Sequence, residues 1–155
     1  KSLDSFAPND PITRAEFVAI LARMSGDDYS KKTTSRFVDV KSTAWHASYI
    51  GWAVDTGITK GLSDTEFAPS AKISREQMAA MISRYAEYKK FTIPSAIKEI
   101  IFADQDKISP YAIDAVSEMQ KANIISGRPG NIFDPQDQAT RGEAAKMLCI
   151  LLRMM

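Results

Sequence analysis

"FAPNDPITRAEF", residues 6–17, is the stretch on which the fold turns. Thr13, followed three residues on by Glu16, is a capping box: each side chain can bond the other's backbone N–H at a helix start. Ile12 before the cap and Phe17 at the fourth helical position are placed as a hydrophobic staple. Beyond them Phe17, Ile20, Leu21 and Met24 recur at three- and four-residue spacing, the apolar stripe of an amphipathic helix. Arg14 does not fit so simply. It falls at the first helical position, where the positive end of the helix dipole costs a cation a few tenths to about 1 kcal/mol.

The stretch returns twice, as "FAPSAKISREQM" at 67–78 and "FDPQDQATRGEA" at 133–144. Ser74, Gln77, Ile73 and Met78 repeat the box and the staple; Thr140 and Glu143 keep the box, with Ala139 and Ala144 as a weaker staple. Apolar stripes follow in each, Met78, Met81, Ile82, Tyr85 and then Met147, Leu148, Leu151, Met155. A second block also repeats: "FVDV" with "WHASYIGWAVDTGITKG" ending at Gly61 matches "FADQ" with "YAIDAVSEMQKANIISG" ending at Gly127. Ser109 is suited to cap the short helix of the later copy and Pro110 to open it, with an end near Ala122. Asn123 stands where the earlier copy has Gly57, and these are the two residues that best tolerate the left-handed helix end. Each unit therefore reads helix, loop, helix. Three long helices with one apolar stripe each predict an all-α fold, a central three-helix bundle with shorter helices and loops around it. The repeats divide the chain at 1–30, 31–90 and 91–155, and the first, opening at "KSLDSF", is expected to lack its short helix. The connection at 88–100 is expected to hold an extra short helix around Ser95 to Ile101.

Composition sets bounds. Of 155 residues, 45% are hydrophobic and 25% charged, the balance of an ordinary globular domain, and 20 basic against 19 acidic residues leave a net charge of +1. No basic stripe points to nucleic acid, so anion recognition must be local. Cys149, the single cysteine, is expected to be buried within "AAKMLCILLRMM". No stretch approaches the roughly 18 apolar residues of a membrane span. His46 is the sole histidine, and no metal-ligand spacing, phosphate loop or catalytic triad is present, so neither metal, cofactor nor catalysis is expected.

Arg14, Arg75 and Arg141 share one position after the cap, and two readings compete. In one, each arginine is structural and pairs with a carboxylate such as Asp39, Asp64 or Asp104. In the other, the unpaired N–H groups of a helix start and the guanidinium fork together hold an external anion, carboxylate or phosphate. Trp45 and Tyr111, at equivalent places early in the short helices, offer flat faces for a sugar or else pack as core aromatics.

Phe-x-Asp, an aromatic, Gly-Ile-x-x-Gly, Phe-x-Pro and Ile-Thr-Arg-Ala-Glu, in that order and repeated, resemble the S-layer homology module, normally present as three tandem copies. The resemblance covers nearly the whole chain. It implies a pseudo-threefold helical domain, secreted and held noncovalently at the wall of Gram-positive bacteria, binding secondary cell wall polysaccharide that commonly bears pyruvate ketals. It also allows association with other surface-layer proteins, and involves no nucleic acid and no membrane. Matched to the family's motif, the ligand-binding residues are Arg14, Arg75, Arg141, Trp45, Tyr111, Gly61 and Gly127, with Thr13, Glu16, Ser74, Gln77, Thr140 and Glu143 as capping support. The glycines would let a sugar approach the backbone. Grooves at Arg14 and Arg75 are expected to outrank one at Arg141, whose neighbouring short helix is missing. The alternative is a helical protein-interaction module in which the arginines are structural.

Overall fold

The computed structural model describes residues 6–32 and 36–155. Five α-helices carry the fold: α1 Arg14–Ser25, α2 Ala47–Asp55, α3 Arg75–Tyr88, α4 Ile113–Lys121 and α5 Arg141–Met154, with a 3₁₀ turn at Gln105–Lys107. Among the described residues there is no strand, only isolated bridges, so the all-α class holds. The chain forms two compact units, one of Thr13–Lys72 and a larger one of residues 1–12 with Ile73–Met155.

Every long helix starts as the sequence requires. Thr13, Ser74 and Thr140 are extended N-caps whose side chains accept from the third helical N–H, and Glu16, Gln77 and Glu143 return the bond. The staple residues are buried in all three copies, even the alanine pair Ala139 and Ala144. Left-handed residues end the short helices where expected, Gly57 at φ 77 and Asn123 at φ 58, and Gly26 does the same after α1. An asparagine and a glycine thus meet one backbone demand.

In the smaller unit α1 packs on α2 through Arg23 against Tyr49 and Asp27 against the Trp52 indole N–H. In the larger unit α3 packs on α4 in the same sense, the Ser83 hydroxyl donating to Glu118 at 2.8 Å. Phe37 meets Phe67 at 5.7 Å and Phe102 stacks on Phe133 at 5.3 Å, so the Phe of each Phe-x-Asp anchors the Phe of the Phe-x-Pro that follows it. These fully or nearly buried rings keep the long loops compact.

Four expectations are corrected. Helix α4 begins at Ile113, not beside Ser109, because the Ser109 amide and hydroxyl are both given to Glu76, and a turn from the Ser109 carbonyl to the Ala112 N–H precedes the helix. Segment 95–101 is not helical; the Ala96 and Ile97 N–H groups bond the Lys121 carbonyl, and the short helical turn lies later, at Gln105–Lys107. Cys149 is exposed, since it sits one residue off the stripe of Met147, Leu148 and Leu151 and so about 100° round the helix. Met155 lies beyond the last helical residue and is 46% exposed.

Candidate anion-binding cleft

The three motif arginines repeat one arrangement. The Arg14 Nε donates to the Phe67 carbonyl at 2.8 Å and its guanidinium lies 4.7 Å over the Phe67 ring. Arg75 does the same to Phe133, at 2.7 and 5.1 Å, and Arg141 to Phe6, at 2.9 and 5.5 Å. The loops these arginines clamp also cap the helices. The first two N–H groups of α1 go to the carbonyls of Ala71 and Pro69, those of α3 to Asp137 and Pro135, and those of α5 to Asp10 and Pro8. With the third N–H taken by the N-cap side chain, a helix start has no backbone donors left to offer an anion. The expectation of unpaired N–H groups there is therefore overturned. The loop carbonyls, turned toward the helix start, also supply the negative charge that offsets the cost of a cation at the first position. Asp39 and Asp104, expected on one reading as arginine partners, hold the same loops from the other side: Asp39 accepts from the N–H groups of Phe67 and Ala68, Asp104 from those of Phe133 and Asp134.

Burial separates the three. Arg14 is 2% exposed and Arg75 7%, while Arg141 is half-buried beside a largely exposed Phe6. Arg141, like the other two, is joined to a Phe-x-Pro loop, here that of residues 6–10.

One open cleft of about 140 Å³ in the larger unit brings functional groups together. Its wall is formed by Arg75, the 124–128 loop with Gly127, and the α5 residues Glu143, Lys146 and Met147. Arg75 and Gly127 were expected there; Arg128 and Lys146 were not. Glu143 is divided: one oxygen accepts the Thr140 N–H of the capping box at 2.9 Å, and the other accepts from both Arg75 and Arg128. Arg128 also bonds Asp134 at 2.8 Å and Asp137 at 2.6 Å. Burial is the main influence on the Arg75 guanidinium and lowers its pKa, opposed by Glu143 and reinforced by the nearby Arg128. Arg128 is shifted the other way, raised chiefly by its bond to Asp137. Two guanidiniums converge on one carboxylate with exposed Lys146 beside them, and Asp134 and Asp137, both paired with Arg128, offset much of their charge.

The aromatics are not core. Trp45 is 59% exposed and sits edge-on to Tyr49 at 6.2 Å; Tyr111 is 50% exposed, its hydroxyl donating to Glu76 at 2.9 Å. Tyr111 does not line the cleft. The glycines differ as well. A Cβ on Gly61 would come within 2.5 Å of the Phe37 ring and 2.7 and 2.8 Å of two backbone oxygens, so its missing side chain serves internal packing. Gly127 is exposed and its nearest contacts, all on Asn131, begin at 3.1 Å. His46, at the N-cap of α2, has its pKa lowered by burial, with Asp39 opposing, and so is neutral at pH 7.

A family model described as S-layer homology domain matches residues 1–18, 36–79 and 101–145. The chain is 36% identical over 153 residues to an endoglucanase of Bacillus sp. strain KSM-635, covering 97% of this chain and 16% of that protein. It is 35% identical over 150 residues to an amylopullulanase of Thermoanaerobacterium thermosulfurigenes, 95% of this chain and 8% of that protein. A cellulosome-anchoring protein of Acetivibrio thermocellus is 26% identical over 147 residues, 92% of this chain and 32% of that protein. The chain thus spans a third or less of each of these relatives, and what the enzymes and the anchoring protein share with it is this one region. Three matched segments, each built on a capped helix whose first arginine clamps a Phe-x-Pro loop, place the chain in the S-layer homology family.

Proposed function

We propose that this chain is a noncovalent anchor that holds a surface protein to the Gram-positive cell wall by binding secondary cell wall polysaccharide, without chemistry of its own. The ketal carboxylate of a pyruvylated sugar is received by the cleft of Arg75, Arg128 and Lys146, with the sugar lying against exposed Gly127. The observation that carries this reading is an open cleft whose wall brings the donor groups of Arg75, Arg128 and Lys146 together with exposed Gly127. Relatives named for cellulosome anchoring and as surface-layer proteins, matched across this same region, agree with it. So do the unrelated names of the enzyme relatives, since one shared module serves different cargo.

Because the motif arginines also hold the loops together, replacing them confounds binding with folding. Lys146 is exposed, and Lys146→Glu tests the cleft alone. Reversing one charge in a half-open site is expected to weaken binding to isolated walls about ten-fold, roughly 1.4 kcal/mol. The melting temperature should stay within about 2 °C, as for other exposed substitutions. Lys98→Glu, at an exposed position outside the cleft, serves as the control. Equal wall binding by Lys146→Glu and Lys98→Glu would remove the cleft from the account.

A further inference from the structure

Glu76 is a buried carboxylate, 2% exposed, one residue past Arg75. One of its oxygens accepts from the Ser109 hydroxyl at 2.8 Å, the Tyr111 hydroxyl at 2.9 Å and the Gln136 amide at 2.8 Å; the other accepts from the Ser109 N–H at 2.9 Å. Placing a carboxylate among neutral donors is costly unless each bond is made. The start of α3 does not need it, because Ser74 and Gln77 cap that helix and the Glu76 N–H bonds the Pro135 carbonyl.

The chain contains its own control. In the preceding copy the position of Glu76 is held by Ala15 and that of Tyr111 by Trp45. Ala15 is equally buried, and α1 starts with the same box and the same pair of loop carbonyls as α3. The two differences go together: where the aromatic carries a hydroxyl, a carboxylate receives it, and where it is an indole, the position equivalent to Glu76 is an alanine. The Trp45 ring has no phenolic hydroxyl and sits against His46 and Tyr49, at 5.3 and 6.2 Å. The carboxylate thus holds the Tyr111 hydroxyl in addition to the groups of Ser109 and Gln136.

We propose that Glu76 is a positioning residue for carbohydrate: it tethers the Tyr111 hydroxyl so that the half-exposed phenol ring is held at a fixed angle, ready to stack on an uncharged pyranose ring of the chain. This rests on the wall-polysaccharide reading above and adds a neutral-sugar contact outside the cleft lined by Arg75 and Arg128. A tethered ring has lost its rotamer freedom before the ligand arrives, so binding does not have to order it.

The test measures affinity for pyruvylated wall polysaccharide by isothermal titration. Tyr111→Phe removes only the tether from an exposed ring, and is expected to bind about five-fold more weakly at an unchanged melting temperature. Glu76→Ala should weaken binding similarly. The double variant Glu76→Ala with Tyr111→Trp rebuilds the Ala15 and Trp45 pairing, and is expected to return to within about two-fold of the wild type, a rescue that loss of a merely structural bond would not show. If Tyr111→Phe binds like the wild type, or the folded double variant stays as weak as the single ones, Glu76 has no positioning role. If the wild-type chain itself does not bind, the wall reading fails, and this inference fails with it; the two failures are told apart by the wild-type titration.

Discussion

Gly61→Ala lowers the melting temperature of the chain by about 10 °C, the expected result of a cost near 3 kcal/mol in a domain of this size. Two effects add. Gly61 has φ 89, a left-handed conformation that costs an ordinary residue roughly 1–2 kcal/mol. Its new methyl would also lie 2.5 Å from Cε1 of Phe37 and 2.7 and 2.8 Å from the carbonyl oxygens of Ser63 and Glu66. The ring is fully packed against Phe67, and the Glu66 carbonyl accepts from the Leu62 and Ser63 N–H groups, so neither can give way cheaply. Overpacking of this kind costs about 1–3 kcal/mol. Gly127→Ala meets only Asn131, from 3.1 Å, without a left-handed backbone, and should shift melting by no more than about 3 °C. Thermal melts of the two variants side by side check the claim. A stable Gly61→Ala would mean that the glycine is not needed for packing and would return it to the sugar-binding residues.

Asp104→Ala is the second large effect. The Asp104 side chain, 6% exposed as a residue, accepts the Phe133 N–H and the Asp134 N–H at 2.8 Å each. Deleting it strands two donors in the loop that also caps α3 and receives Arg75, at about 1–3 kcal/mol for each unsatisfied group, so a total near 3 kcal/mol is expected. Asp39→Ala, which removes the same clamp from an exposed position, should cost less than half as much. The pH dependence fixes the mechanism. Burial pushes the Asp104 carboxyl up, but the N–H groups of Phe133 and Asp134 outweigh it and hold the pKa below 3.8. A depressed folded-state pKa contributes stability that is complete above the ordinary carboxylate value and is lost as pH falls through the lowered one. Urea denaturation should therefore show the full gap between wild type and Asp104→Ala at pH 6, closing as the pH drops below about 4. A gap that stays constant down to pH 2 would contradict the clamp.

What the sequence disclosed were the features set by near neighbours in the chain. A capping box joins residues three apart, and a left-handed helix end is decided at one residue, so Thr13, Ser74, Thr140 and Asn123 were legible without a structure. The all-α class followed from the stripes. The duty of Arg14 was not legible, because its acceptor, the Phe67 carbonyl, lies 53 residues away and a backbone oxygen leaves no mark in the sequence. The same distance hid the task of Asp39 and Asp104: both read as possible arginine partners, while here both reach across to the backbone of a loop some 30 residues on. Ser109 was misread as a cap because Glu76, which takes both its groups, lies in another helix. Cys149 could have been placed correctly: the helical period that selects Leu148 and Leu151 turns residue 149 outward. Of the cleft, Arg75 and Gly127 came from the repeated motif. Arg128 did not, since its counterpart in the preceding copy is Leu62 and repetition points away from it.

Arg14, Arg75 and Arg141 each hold a loop carbonyl, and buried Arg75 also lines the open cleft. The claim that the cleft receives a ketal carboxylate meets its most direct test in co-sedimentation of the chain with wall polysaccharide before and after mild acid removal of the pyruvate ketals. The account predicts tight binding to the intact polymer and at least about ten-fold weaker binding to the stripped one, the loss of one charge-assisted contact. Equal binding to both would contradict it.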